Sequence, residues 1–142
     1  MGVVYKSERY GICLFESNSG LGVAVAVWNQ LIRHHWFKNI ERITWRKLQV
    51  DNKPHDFDER VTEFVKANLH KKFNLSLPKL LKFKSNIPHS EKTSYFCSEL
   101  VGTLYKFLGL LDPEKSATQY WPKDFSDKGN LNMINSALDP ER

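Results

Sequence analysis

The segment Tyr95-Phe96-Cys97-Ser98-Glu99-Leu100-Val101 runs on through Gly102-Thr103-Leu104-Tyr105-Lys106-Phe107-Leu108 to Gly109-Leu110-Leu111, and it constrains this chain more than any other. Leu100, Val101, Leu104, Tyr105 and Leu108 fall at i, i+1, i+4, i+5 and i+8, the single apolar stripe of an amphipathic helix. Ser94 is the expected N-cap, and Gly109 stands where a left-handed residue ends a helix. Cys97 then lies in the first turn, where unpartnered backbone N–H groups and the helix dipole favour a thiolate over a thiol. Nucleophilic thiol chemistry needs such a setting. Cys97 also lies on the apolar stripe, however, so a small buried hydrophobe fits the same place.

A chain of 142 residues, 41% hydrophobic and 13% aromatic, has enough apolar surface for one packed core and no need of a second domain. Cys13 and Cys97 are the two cysteines, too few for a disulfide framework and suited to a reducing compartment. The opening Met1-Gly2-Val3-Val4-Tyr5-Lys6 lacks the basic-apolar-small pattern of a signal peptide, and no apolar run reaches the ~18 residues of a spanning helix. A cytoplasmic location without a transmembrane segment is the expectation. The net charge of +5 suits contact with an anionic surface, whether nucleic acid, lipid or acidic polymer. Its lysines are scattered, densest at Lys71-Lys72 and between Lys79 and Lys84, and no nucleic-acid motif accompanies them, so specific nucleic-acid binding is not expected. Dispersed histidines, the lack of Cys-x-x-Cys or His-x-x-x-His spacing and the lack of a Gly-rich phosphate loop leave no metal site or cofactor to expect.

Along the chain, Met1 to Tyr5 and Ile12 to Glu16 read as a β-hairpin around the polar turn Lys6 to Arg9. Ser17 to Gly20 makes the next turn and Gly22 to Val27 a third strand. Trp28 to His35 fits a short helix with Leu31 and Ile32 inward, and the alternation from Arg42 to Leu48 reads as a further strand. Asp56 caps a helix carrying Phe57, Val61, Phe64, Val65 and Leu69 on one face. Ser76 to Phe83 is ambiguous, with a short helix around Leu77, Leu80 and Leu81 as one reading, and Lys84 to Lys92 reads as a polar loop holding His89. Ser116 to Ser126 is an aromatic-rich loop. Sheet first and helices later make an α+β domain over 1–127, with 128–142 expected as a flexible tail.

With these elements in place, two segments carry a resemblance. One is Tyr95-Phe96-Cys97-Ser98-Glu99-Leu100-Val101 with Gly109-Leu110-Leu111 and the downstream Tyr120-Trp121-Pro122-Lys123-Asp124-Phe125. The other is Gly2-Val3-Val4-Tyr5, Leu14-Phe15-Glu16-Ser17 and Gly22-Val23-Ala24-Val25. Together they resemble the circularly permuted papain-like cysteine hydrolases, in the YiiX/YebB-like branch related to NlpC-type peptidases and lecithin:retinol acyltransferase. The resemblance implies a permuted papain-like fold. It also implies a thiol that attacks an amide or ester carbonyl of a peptide- or lipid-like substrate through a thioester, followed by hydrolysis or acyl transfer.

Residue by residue, the resemblance implies Cys97 as nucleophile and Glu16 as the carboxylate that orients a histidine. Tyr95, Ser98 and Trp121 become candidates to line the substrate, although Ser98 also reads as an ordinary helix-start residue and Trp121 as part of a loop closing over the helix. The histidine itself is implied just before the run that begins at Gly2, at Met1 or ahead of the given sequence, and none occurs before His34. A thiol hydrolase needs a base within hydrogen-bond reach of the sulfur. Three readings follow: the histidine belongs to a preceding stretch of a longer form, His34, His35 or His89 replaces it, or the domain is a non-catalytic module binding a lipid, peptide or protein.

Overall fold

In the computed structural model, residues 1–75 and 92–142 are described, and they form an α+β structure with an antiparallel sheet. The expected helix near Leu77, the Lys79–Lys84 cluster and His89 lie outside the described residues. Strands β1 (Gly2–Ser7), β2 (Gly11–Asn18) and β3 (Gly22–Val27) make a three-stranded meander in that order. Its register sets Val3 beside Phe15 and Phe15 beside Val25. Because strand side chains alternate between faces, Cys13, Phe15 and Ser17 turn into the protein while Leu14, Glu16 and Asn18 take the other face.

Two helices close the inward face. Helix α2 (Phe57–Asn68) buries Phe57, Val61, Phe64 and Val65, the stripe expected of it, and begins after Asp56 without a side-chain cap. Helix α3 (Cys97–Phe107) buries Leu100, Val101, Leu104 and Tyr105 against the same core, with Leu108 just beyond its end. The Phe64 ring stands edge-on to Phe15 at 6.2 Å and tilts against Phe107 at 5.4 Å, which locks sheet, α2 and α3 together. A short helix α1 (Trp28–Arg33) follows β3 directly and fully buries none of its residues: of the two expected inward, Leu31 is half-buried and Ile32 is exposed.

The start of α3 differs from the sequence reading. Ser94 is not its cap, because Ser94–Tyr95 is strand β6, paired in parallel with β5 (Lys72–Phe73). The helix therefore begins at Cys97 with Phe96 in the capping position. The chain just before β5 continues the sheet edge, since His70 N–H donates to the Val23 carbonyl and Val23 N–H to that of Lys71. Gly22 allows this approach: its φ is +72°, and a Cβ there would lie 2.4 Å from the Lys71 carbonyl oxygen.

The expected strand over Arg42 to Leu48 does not form: 42–47 has no regular structure and only Leu48 falls in β4 (Leu48–Val50), whose partner is the expected flexible tail. Strand β7 (Ser136–Leu138) pairs antiparallel with β4, Asp139 N–H donates to Lys47, and Trp45 and Arg142 exchange backbone bonds. Arg46 explains the irregular stretch. Its guanidinium turns inward onto the carbonyls of Phe125, Leu138 and Asp139, so alternation is broken where the side chain inserts.

Helix α3 ends in a Schellman motif: Leu110 N–H reaches the Tyr105 carbonyl, Gly109 N–H reaches that of Lys106, and Gly109 has φ +77°. Replacing Gly109→Ala puts a side chain into a left-handed conformation and is expected to cost about 1 kcal/mol in chemical denaturation. Burial pushes the Tyr105 hydroxyl up to about 12, against an ordinary value near 10, with the Arg46 charge acting the other way. The unfolded chain loses this proton first, so stability is complete below pH ~10 and falls as pH rises toward 12. Tyr105→Phe removes this share of the alkaline loss, roughly 2 kcal/mol at the upper end, measurable as a raised melting temperature relative to the parent at high pH only.

Candidate functional site

Strand β6 delivers the chain to Cys97, the first residue of α3, whose side chain is partly exposed. Cys13, by contrast, is wholly buried on β2, and burial pushes its thiol up although a hydrogen bond with Tyr5 opposes this. Of the two cysteines, only Cys97 combines solvent access with a place in the first turn of a helix.

Around it, buried polar groups hold the helix start in place. The Ser17 hydroxyl donates to the Tyr95 carbonyl at 2.9 Å, tying the end of β2 to the residue two before Cys97. Glu99 is fully buried in the first turn, where its carboxylate accepts the Phe96 N–H at 3.3 Å and the Lys92 ammonium at 2.9 Å. An acid at this position suits the positive end of the helix. Two cations lie near the Tyr95 ring, with Lys92 Nζ 5.4 Å and Lys71 Nζ 5.6 Å from its centre. Its hydroxyl donates to Asn68 Oδ1, which Lys71 also reaches at 2.8 Å, and Asn68 Nδ2 donates to the Phe64 carbonyl. Burial, and then the Glu99 charge, raise the Tyr95 phenol far above its ordinary value, while burial and then Lys92 lower the Lys71 ammonium.

This geometry separates the candidates. Tyr95 and Ser98 are completely buried, so neither presents a surface to a substrate: Tyr95 is part of the scaffold under the helix start. The Ser98 hydroxyl has no hydrogen-bond partner among the described residues. Trp121 is 48% exposed and follows Tyr120, whose ring packs 3.1 Å from where a Cβ on Gly102 of α3 would stand. Asp124 Oδ2 accepts the Trp121 N–H at 2.8 Å and closes the 3-10 turn Pro122–Phe125.

Glu16 is not brought to the α3 side. It lies on the face of β2 opposite Phe15 and Ser17 and accepts from the Asn18 amide at 3.2 Å. The last β1–β2 pair is Gly2 with Glu16, and continuing that register by one residue sets Met1 opposite Ser17. Side-chain parity then puts position 1 with Val3 and Tyr5 on the helix-facing side. His34 and His35 are exposed beyond the end of α1, and His70 is exposed beside β3.

Sequence reasoning missed Ser17, Asn68, Lys71 and Lys92. Strand parity could have singled out Ser17, a hydroxyl in phase with Phe15, but the lysines' roles depend on chain crossings that no local pattern encodes. A cleft of about 200 Å³ lies beneath the C-terminal segment, lined by Arg46, Leu131, Met133 and Leu138, and one of about 360 Å³ lies over α2; neither includes Cys97. Among the described residues no three His, Cys, Asp or Glu side chains gather to hold a metal ion, and no helix is long and apolar enough to cross a membrane. No family model, curated protein or solved structure matches this chain.

Removing the cation that faces a buried carboxylate is costly. Lys92→Met is expected to destabilise the fold by about 3 kcal/mol in urea unfolding, whereas the exposed pair Lys53–Asp58 contributes less than about 1 kcal/mol by the same measure.

Proposed function

We propose that this is a permuted papain-like domain in which Cys97 attacks an amide or ester carbonyl of a peptide- or lipid-like substrate. The observation that carries this reading is the partly exposed Cys97 as first residue of a helix that is buried from Ser98 to Tyr105. The thiolate adds to the carbonyl carbon, the C–O⁻ that forms is met by first-turn N–H groups, and expulsion of the amine or alcohol leaves a thioester. Water or a second acceptor then cleaves the thioester, giving hydrolysis or acyl transfer. A proton must reach the leaving group, and position 1, facing Ser17 on the helix side, is where a base on β1 would stand. Glu16, on the other face of β2, takes no part in this step.

The competing reading is a non-catalytic module that binds a lipid, peptide or protein partner. It draws on the sequence before His34, which holds no histidine, and on Met1, whose thioether side chain offers no base.

Alkylation by iodoacetamide at near-neutral pH, followed by mass spectrometry, separates the two. A nucleophile predicts Cys97 modified at least about tenfold faster than an unstructured cysteine peptide, with Cys13 unmodified in the native fold. p-Nitrophenyl acetate should leave an acetyl group on Cys97 that Cys97→Ser cannot form as a thioester. Met1→His, made behind a retained initiator methionine, is expected to speed turnover of that acetyl group about a hundredfold, the lower range of general acid–base catalysis. A Cys97 no faster than the peptide, with Met1→His inert, assigns the domain to binding.

A further inference from the structure

We propose that the exposed arm from Trp28 to Lys47 docks this domain on an anionic phospholipid surface. The arm leaves β3 as α1, makes the 3-10 turn Trp36–Asn39 after His35 enters the left-handed region at φ 51°, and continues to Arg46 without regular structure. Helix α1 contacts β2 and β3 but buries none of its residues. Ile32 within it, and Phe37, Ile40, Ile43 and Trp45 beyond it, are exposed, from 37% at Phe37 to 53% at Trp45. Single exposed apolar side chains are ordinary; five along one short arm are more than scattered exposure accounts for.

Charge selects the occupant. The arm carries Arg33, Lys38, Arg42, Arg46 and Lys47 against Glu41 as its one acid. Arg46 is turned inward and Arg42 meets Glu141 at 3.2 Å, whereas Arg33, Lys38 and Lys47 form no ion pair among the described residues. A second copy of this chain would bring the same positive arm against itself, so charge opposes a symmetric dimer. A bilayer containing phosphatidylserine supplies both complements: anionic headgroups for the cations and an interfacial zone that accepts Trp, Phe and Ile side chains. Long Arg and Lys stems let the charges stay at headgroup level while the apolar groups enter below. Trp45, with the Arg142 guanidinium 5.5 Å from its ring centre, combines both chemistries at the far end of the arm.

Sedimentation of the full chain with phosphatidylcholine vesicles, with and without about 30 mol% phosphatidylserine, tests this. Partition is expected to be at least about tenfold stronger onto the anionic vesicles, to weaken with salt, and to shift tryptophan emission to the blue. Arg33→Gln with Lys38→Gln should weaken it about 25-fold, at roughly fivefold per cation. Phe37→Ser with Ile40→Ser should weaken it at both low and high salt, because the apolar contribution is not screened. Cys97→Ala should bind like the parent, which separates this surface from the thiol chemistry. Thermal melts verify that each variant is folded, and Ile32→Ser replaces the apolar pair if that pair unfolds. The proposal is overturned if the parent ignores anionic vesicles at low salt or if both pairs of substitutions leave partition unchanged. A dimer that buries the arm, seen as quenched Trp45 exposure at rising protein concentration, overturns it as well.

Discussion

Burying the Glu99 carboxylate completely demands a cation and hydrogen-bond donors at fixed positions, because a charge taken out of water without them costs several kcal/mol. Lys92 and the Phe96 N–H meet that demand, and both belong to the few residues that lead into α3. The same lysine also lies against the Tyr95 ring, whose hydroxyl is bound to Asn68 at the end of α2. Position and direction of the α3 start are therefore set by polar groups drawn from β2, α2 and the approach strand. A thiol mounted on the first residue of that helix inherits the rigidity.

The sheet decides which residues can share this site. With a side-chain period of two, Ser17 and Glu16 cannot both face α3, and Phe15 in the core commits Ser17 inward and Glu16 outward. Resemblance at the level of a motif pointed to the carboxylate because Glu16 matches the polar strand-end position that orients a histidine. Parity favours the hydroxyl, which bonds the Tyr95 carbonyl. The consequence extends to β1, whose first position follows Ser17 across the ladder and shares its side of the sheet.

A different balance operates along the far arm. Between β3 and β4 the chain keeps apolar side chains that no part of the described core covers, while its one inward arginine stitches the C-terminal segment to the body through three carbonyls. Pairing of β4 with β7 buries backbone polarity that a free tail would leave to water. Stability near the C-terminus thus comes from hydrogen bonding, while the apolar side chains of the arm stay exposed.

Local pattern alone determined much of this protein. The 3.6-residue stripes of α2 and α3, the Gly109 stop, the span of β3 and the alternation of β1 and β2 all follow from side-chain size and backbone freedom, which act within a few residues. So does Cys97 in the first turn of its helix. Tertiary structure alone decided that Ser94 is strand and not cap, that Glu99 is paired by Lys92, that Tyr95 is scaffold, and that residues 136–138 complete a ladder with 48–50. These depend on partners far apart in the chain, such as Ser17 with Tyr95 and Trp45 with Arg142, whose meeting is an outcome of packing and loop closure. No run of neighbouring residues encodes it.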